Sequence, residues 1–143
     1  MLTALLLCGC AGGGSNSSDG SSFTAESVQS RESAQQSGGV YEQITQEEAK
    51  KIMSEQSDYI LLDVRMYDEF DEGHIPGAIC IPNEMITDKE VPQLPDKDRL
   101  ILVYCRSGRR SKEAAQKLAD IGYTNVKEFG GIITWNGEVT TSL

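Results

Sequence analysis

The chain has 143 residues, 38% of them hydrophobic and 24% charged, which is enough for one modest core and too little for two. A formal net charge of −9 argues against nucleic acid or an anionic lipid surface as a partner. Residues 1–40 hold Asp19, Glu26 and Glu32 against Arg31, so −7 of that charge falls on the rest of the chain.

The apolar start, Leu2 to Gly9, is shorter than the ~20 residues that a membrane span needs and reads as the core of a signal peptide. Its end, Leu7-Cys8-Gly9-Cys10, resembles the lipobox of bacterial lipoproteins, although no Lys or Arg precedes it. That resemblance implies cleavage before Cys10, a lipid on Cys10, and a domain held outside the cytoplasm on the cell membrane through that anchor alone. Residues 11–40 are rich in Gly and Ser with no hydrophobic period, so they are expected to form a disordered tether. A Gly/Ser coil of that length has a root-mean-square span of roughly 30 Å. The folded domain is expected over residues 41–143.

Ile44 to Ser54 is predicted to be a helix, with Thr45 and Glu48 as a capping box and Ile44 and Ala49 as a hydrophobic staple. Tyr59 to Val64 reads as a strand and Met66 to Glu72 as a short helix. Gly73 to Pro82 is turn-rich around a brief strand at Ala78 to Ile81, and Glu84 to Arg99 is a polar connection broken by Pro92 and Pro95. Leu100 to Tyr104 is a β-branched apolar run suited to a strand buried on both faces. From Ser111 onward the helical spacing of Ala114, Ala115, Leu118 and Ala119 leads to Gly122, a stop signal. Asn125 to Phe129 is the last strand and Gly130 to Trp135 a closing turn. This alternation predicts an α/β fold, a parallel sheet with helices on both faces.

Between the strand at 100–104 and the helix after it lies Cys105-Arg106-Ser107-Gly108-Arg109-Arg110-Ser111. A strand-to-helix turn aims backbone N–H groups and the positive end of a helix dipole at one small volume. A cysteine there, beside arginines, is expected to ionise readily, since such surroundings lower cysteine pKa values from ~8.5 to between ~3.5 and ~7.5. Gly108 supplies the bend. A buried packing cysteine would have no need of Arg106, Arg109 and Arg110.

Leu61-Leu-Asp-Val-Arg65, then Glu69, Gly73-His-Ile-Pro-Gly-Ala78, the Cys105 loop and Gly130-Gly-Ile-Ile-Thr-Trp135 together resemble the rhodanese-like domain, in order and in spacing. The resemblance implies a five-stranded parallel sheet of order 1-5-4-2-3, flanked by helices, with the loop at the carboxyl end of the fourth strand. It implies a sulfurtransferase. The Cys105 thiolate takes the outer sulfur of a small anionic donor such as thiosulfate, forms a persulfide and passes the sulfur to a thiol or cyanide. Backbone N–H groups of Arg106, Ser107, Gly108, Arg109 and Arg110 would stabilise the sulfur, with the Arg106 and Arg110 side chains on the donor. No general base, cofactor or metal is expected, and the protein is expected to act as a monomer.

His74 is expected to fix its turn rather than to move protons. Asp63 and Arg65 look structural, with Arg65 expected to pair with Glu69 across one helical turn. Asp63 ends its strand on the same side of the sheet as Cys105, which leaves a supporting role open. Under the implied strand order Cys80 and Cys105 are about 10 Å apart at ~4.8 Å per strand, beyond disulfide reach, so Cys80 is expected to be a buried packing residue. Two other functions compete with this one. A non-enzymatic persulfide carrier or docking module would have the same loop. A phosphatase or arsenate reductase needs five residues between Cys and Arg, whereas four separate Cys105 from Arg110.

Overall fold

The computed structural model describes residues 38–142, so the expected signal peptide, Cys10 and nearly all of the tether lie outside the described residues. Five strands form one parallel sheet: β1 (Glu42–Gln43), β2 (Tyr59–Asp63), β3 (Ile79–Cys80), β4 (Leu100–Cys105) and β5 (Val126–Gly131). Their order is β1-β5-β4-β2-β3, as the motif series implied. Three α-helices accompany them among the described residues: α1 (Gln46–Glu55), α2 (Tyr67–Glu72) and α3 (Arg109–Asp120).

The central strand β4 is buried at all six positions and alternates between two cores. Ile101, Val103 and Cys105 point toward α3, joining Ala114, Ala115 and Leu118. Leu102 and Tyr104 point the other way, toward Ala49 of α1 and Phe129. That two-sided burial is what a continuous apolar run codes for in a parallel sheet. The predicted capping box of α1 is present: the Thr45 side chain accepts from the Glu48 N–H while Glu48 Oε2 accepts from the Thr45 N–H at 2.8 Å.

Three local differences from the sequence reading have physical causes. The first strand, unassigned from the residues, is a two-residue polar segment whose pairing with Lys127 and Glu128 supplies what its composition does not. The last described helix begins at Arg109, two residues before the predicted start, because Gly108 at φ 106° closes the turn in the left-handed region and lets the next residue enter the helix. Cys80 is half-buried rather than fully buried, since β3 is an edge strand.

Candidate active site

Cys105 is the last residue of β4 and Arg109 the first of α3, so three residues make the turn. Gly108 donates its backbone N–H to Cys105 Sγ at 3.0 Å, and the first turn of α3 starts at that point. The sulfur therefore has a directed donor and the positive end of a helix beside it. Sγ also lies 3.5 Å from Ser111 Oγ. Cys105 itself is only 1% exposed.

The loop keeps its shape because β5 lets it come close. Cys105 stands in register with Gly131, past an irregularity in the β4–β5 pairing. A β-carbon on Gly131 would fall 2.1 Å from the Arg106 carbonyl oxygen, so a side chain there would push the loop off the sheet. The Ile133 N–H donates to that same Arg106 carbonyl at 3.2 Å, fixing the loop from the far side.

The three arginines are not equivalent. Arg106 is exposed, as is Ser107. Arg109 is exposed and reaches Glu113 one helical turn on. Arg110 is bound bidentately by Glu69, at 2.7 and 3.0 Å, which fastens α2 to the loop. That hydrogen-bonded guanidinium holds the Glu69 carboxyl down at about 2, and the charge on Cys105 is one of the further causes that raise the pKa of Arg110. Glu69 thus fills one edge of the Arg110 guanidinium, the side chain that the sequence reading places on the donor.

Arg65 does not pair with Glu69. Its guanidinium lies along Asp63, with Nη2 2.7 Å from Oδ2 and the same nitrogen 2.7 Å from the Gly73 carbonyl, because Asp63 is two residues away and already buried. Asp63 reaches the carboxyl edge of the sheet, but it is in register with Tyr104 and so faces away from Cys105. This pair ties β2 to the Gly73–Ala78 turn. His74 stacks on Phe70 at 3.7 Å, with Nδ1 2.8 Å from the Phe70 carbonyl and its backbone bridged to Thr140. None of Asp63, Arg65 and His74 hydrogen-bonds to the sulfur. Among the described residues no group of three His, Cys, Asp or Glu side chains could hold a metal ion.

Two residues that the sequence reading did not single out stand beside the nucleophile. Ser111, fully buried, carries its hydroxyl 2.6 Å from Oε1 of Glu128, and Glu128 is itself only 2% exposed. The signal for Glu128 was its place on β5: the strand alternates, Val126 points into the core, and two residues later so does a carboxylate.

Residues 45–138 match the family described as the rhodanese-like domain. The chain belongs to that family. A rhodanese-like relative of known activity, the thiosulfate sulfurtransferase GlpE of Coxiella burnetii, is 34% identical over 104 residues, covering 72% of this chain and 94% of its own. The thiosulfate sulfurtransferase PspE of Escherichia coli is 37% identical over 71 residues, covering 50% and 68%. Among solved structures, an E. coli rhodanese with anions superposes with a TM-score of 0.54 at 31% identity, over 59% of this chain and 99% of that one. A rhodanese-like domain protein of Staphylococcus aureus gives 0.60 at 27%, over 71% and 99%. This rhodanese-like domain thus shares a five-stranded sheet with proteins of the sulfurtransferase family.

Proposed function

We propose that the protein is a sulfurtransferase that carries sulfane sulfur as a persulfide on Cys105. The observation that bears most weight is the 3.0 Å donation from the Gly108 N–H to Cys105 Sγ at the start of α3. A donor fixed in place before reaction stabilises negative charge on sulfur at no reorganisation cost. The Cys105 electron pair attacks the outer sulfur of a thiosulfate-type anion, the S–S bond of the donor breaks, and sulfite departs with the pair. An acceptor thiolate or cyanide then attacks the outer sulfur of the persulfide and returns the pair to Cys105. Sulfite is a good leaving group, so the first displacement needs no acid. The names of the GlpE and PspE relatives support thiosulfate as the donor class. Arg106 is exposed and, among the described residues, makes no ion pair, whereas Arg109 reaches Glu113 and Arg110, held by Glu69, adds its field rather than a free fork.

Intact-mass measurement after incubation with thiosulfate tests the reading: one added sulfur, mapped to Cys105 and removed by cyanide, is the expected result. No mass change with folded protein would leave a docking module as the better account. The same reading carries the membrane anchor at Cys10, which full-length expression in a bacterial host would test. The protein should partition with membranes, and Cys10→Ala should release it.

A further inference from the structure

Glu128 is a carboxylate buried in the core without a cation. Its side chain lies on the α3 face of β5, in register with Val103 of β4 and Gln43 of β1. It accepts from the Ser111 hydroxyl at 2.6 Å, from the Gly130 N–H at 2.8 Å and from Gln43 Nε2 at 3.2 Å. Among the described residues no Lys, Arg or His lies within ion-pair distance of it, whereas the other fully buried carboxylate, Asp63, has Arg65. Three donors reach that carboxyl, and no cation balances its charge.

The nucleophile contacts the same Ser111 hydroxyl. Ser111 Oγ is 2.6 Å from Glu128 and 3.5 Å from Cys105 Sγ, so the carboxyl oxygen and the sulfur are about 6 Å apart at most. Two negative charges at that separation in a buried site repel strongly. Serine is the one kind of link that works in both directions, because its hydroxyl has one proton to give and lone pairs to accept with. With the proton on sulfur, the thiol donates to Ser111 Oγ and Ser111 donates to Glu128. With the proton on Glu128, the carboxyl donates to Ser111 Oγ and the Ser111 hydroxyl turns to the thiolate.

We propose that Cys105 and Glu128 share one proton through Ser111, Glu128 acting as the positioning residue that takes it when the nucleophile ionises. The thiol S–H bond breaks as its proton passes to Ser111 Oγ and the Ser111 proton passes to Glu128 Oε1, so Ser111 ends as a hydroxyl again. Charge is conserved within the trio, and no oxidant or reductant takes part. The other groups facing this trio are few. From the β1 side come the Gln43 amide and Tyr41, whose hydroxyl pKa is raised by burial and then by Glu128. From the loop come the Gly108 and Gly130 N–H groups and Arg110, the last of these already paired with Glu69. Lys127 is turned to Glu42 at the surface, and the α3 residues buried beside Ser111 are apolar.

In turnover, which rests on the sulfurtransferase reading, the proton waits on Glu128 while the persulfide forms. It returns through Ser111 when the acceptor displaces Cys105. The sharing itself does not depend on sulfur transfer, so it can be tested on the free thiol. Two coupled groups titrate in two macroscopic steps. The rate of Cys105 alkylation against pH should rise in two steps in the full-length wild-type protein. In Glu128→Gln the negative charge beside the sulfur is gone, so one step should remain, with alkylation at pH 6.5 roughly tenfold faster. Superimposable single-step profiles for the two proteins would overturn the proposal, as would slower alkylation of a folded Glu128→Gln. Should that variant fail to fold, the side-chain carboxyl carbon of Glu128 can be followed by NMR in the natural sequence. Its shift should move in both steps, and in only one after Cys105→Ser. A carboxyl titration indifferent to Cys105→Ser would count against the sharing equally. Persulfide formation from thiosulfate is measured separately, so loss of one result leaves the other standing.

Discussion

Cys105 and Cys80 sit at the ends of strands on the same edge of one sheet, and their surroundings differ in kind. Cys80 is the more exposed, yet burial among neighbours, followed by the charge of Asp63, pushes its thiol up to about 12. Its thiol donates to the Arg65 carbonyl oxygen at 3.4 Å, an acceptor that favours keeping the proton on sulfur. Cys105 is almost wholly covered, but the atom facing its sulfur is an N–H at the mouth of a helix. Access does not make a nucleophile; the sign of the dipole in front of it does. The strands also keep the two thiols apart: β2 lies between β3 and β4, and Cys80, in register with Asp63 and so with Tyr104, faces the opposite side from Cys105.

The contrast can be broken most completely at the nucleophile. Cys105→Ser should abolish persulfide formation from thiosulfate, because a hydroxyl is a poor attacker of sulfur; intact mass gives the reading, and a residual added sulfur would move the chemistry to Cys80. Arg110→Ala should keep the thiolate but remove a charge beside it and unfasten α2, lowering kcat/KM for thiosulfate about ten- to a hundredfold, or roughly 1.5–3 kcal/mol.

A smaller effect concerns the clamp on the loop. Glu69 lies at about 2 when folded, below the ordinary carboxylate value, chiefly through its hydrogen bonds to Arg110. A depressed carboxyl contributes stability that is whole above its unfolded pKa and is lost as pH falls through the folded one. Denaturant unfolding should therefore show about 1 kcal/mol, after solvent screening, disappearing from near pH 4.5 down to about 2. Arg110→Ala should flatten that slope. The smallest effect is expected at Cys80→Ser: sulfur transfer within about twofold of wild type, with a stability loss of about 1 kcal/mol in the same unfolding measurement. A large loss of activity there would erase the distinction between the two thiols.

What could be read in advance was local or repeated along the chain. The apolar run at 100–104, the Thr45–Glu48 cap, and the glycine and arginines of the loop all act within a few residues of one another, so spacing reveals them. The strand order came with the motif series rather than with any single segment. The polar pair at 42–43 has no pattern of its own and becomes a strand only because β5 offers it partners. Arg110 meets Glu69 across 41 positions and Ser111 meets Glu128 across 17. Such pairs are decided by which side chains the sheet turns inward together. That is why Arg65 was expected to pair with Glu69, a helical neighbour in sequence, when the fold had placed Asp63 against it first.

The central claim is that the loop makes Cys105, and not Cys80, a preorganised thiolate that receives sulfur from an anion. Differential alkylation of the native protein with iodoacetamide near pH 6.5, read by peptide mapping with and without thiosulfate, tests it most directly. Label on Cys105, suppressed by thiosulfate, with Cys80 left unmodified is the predicted result. Equal labelling of both thiols, or labelling of Cys105 that thiosulfate does not slow, would contradict it.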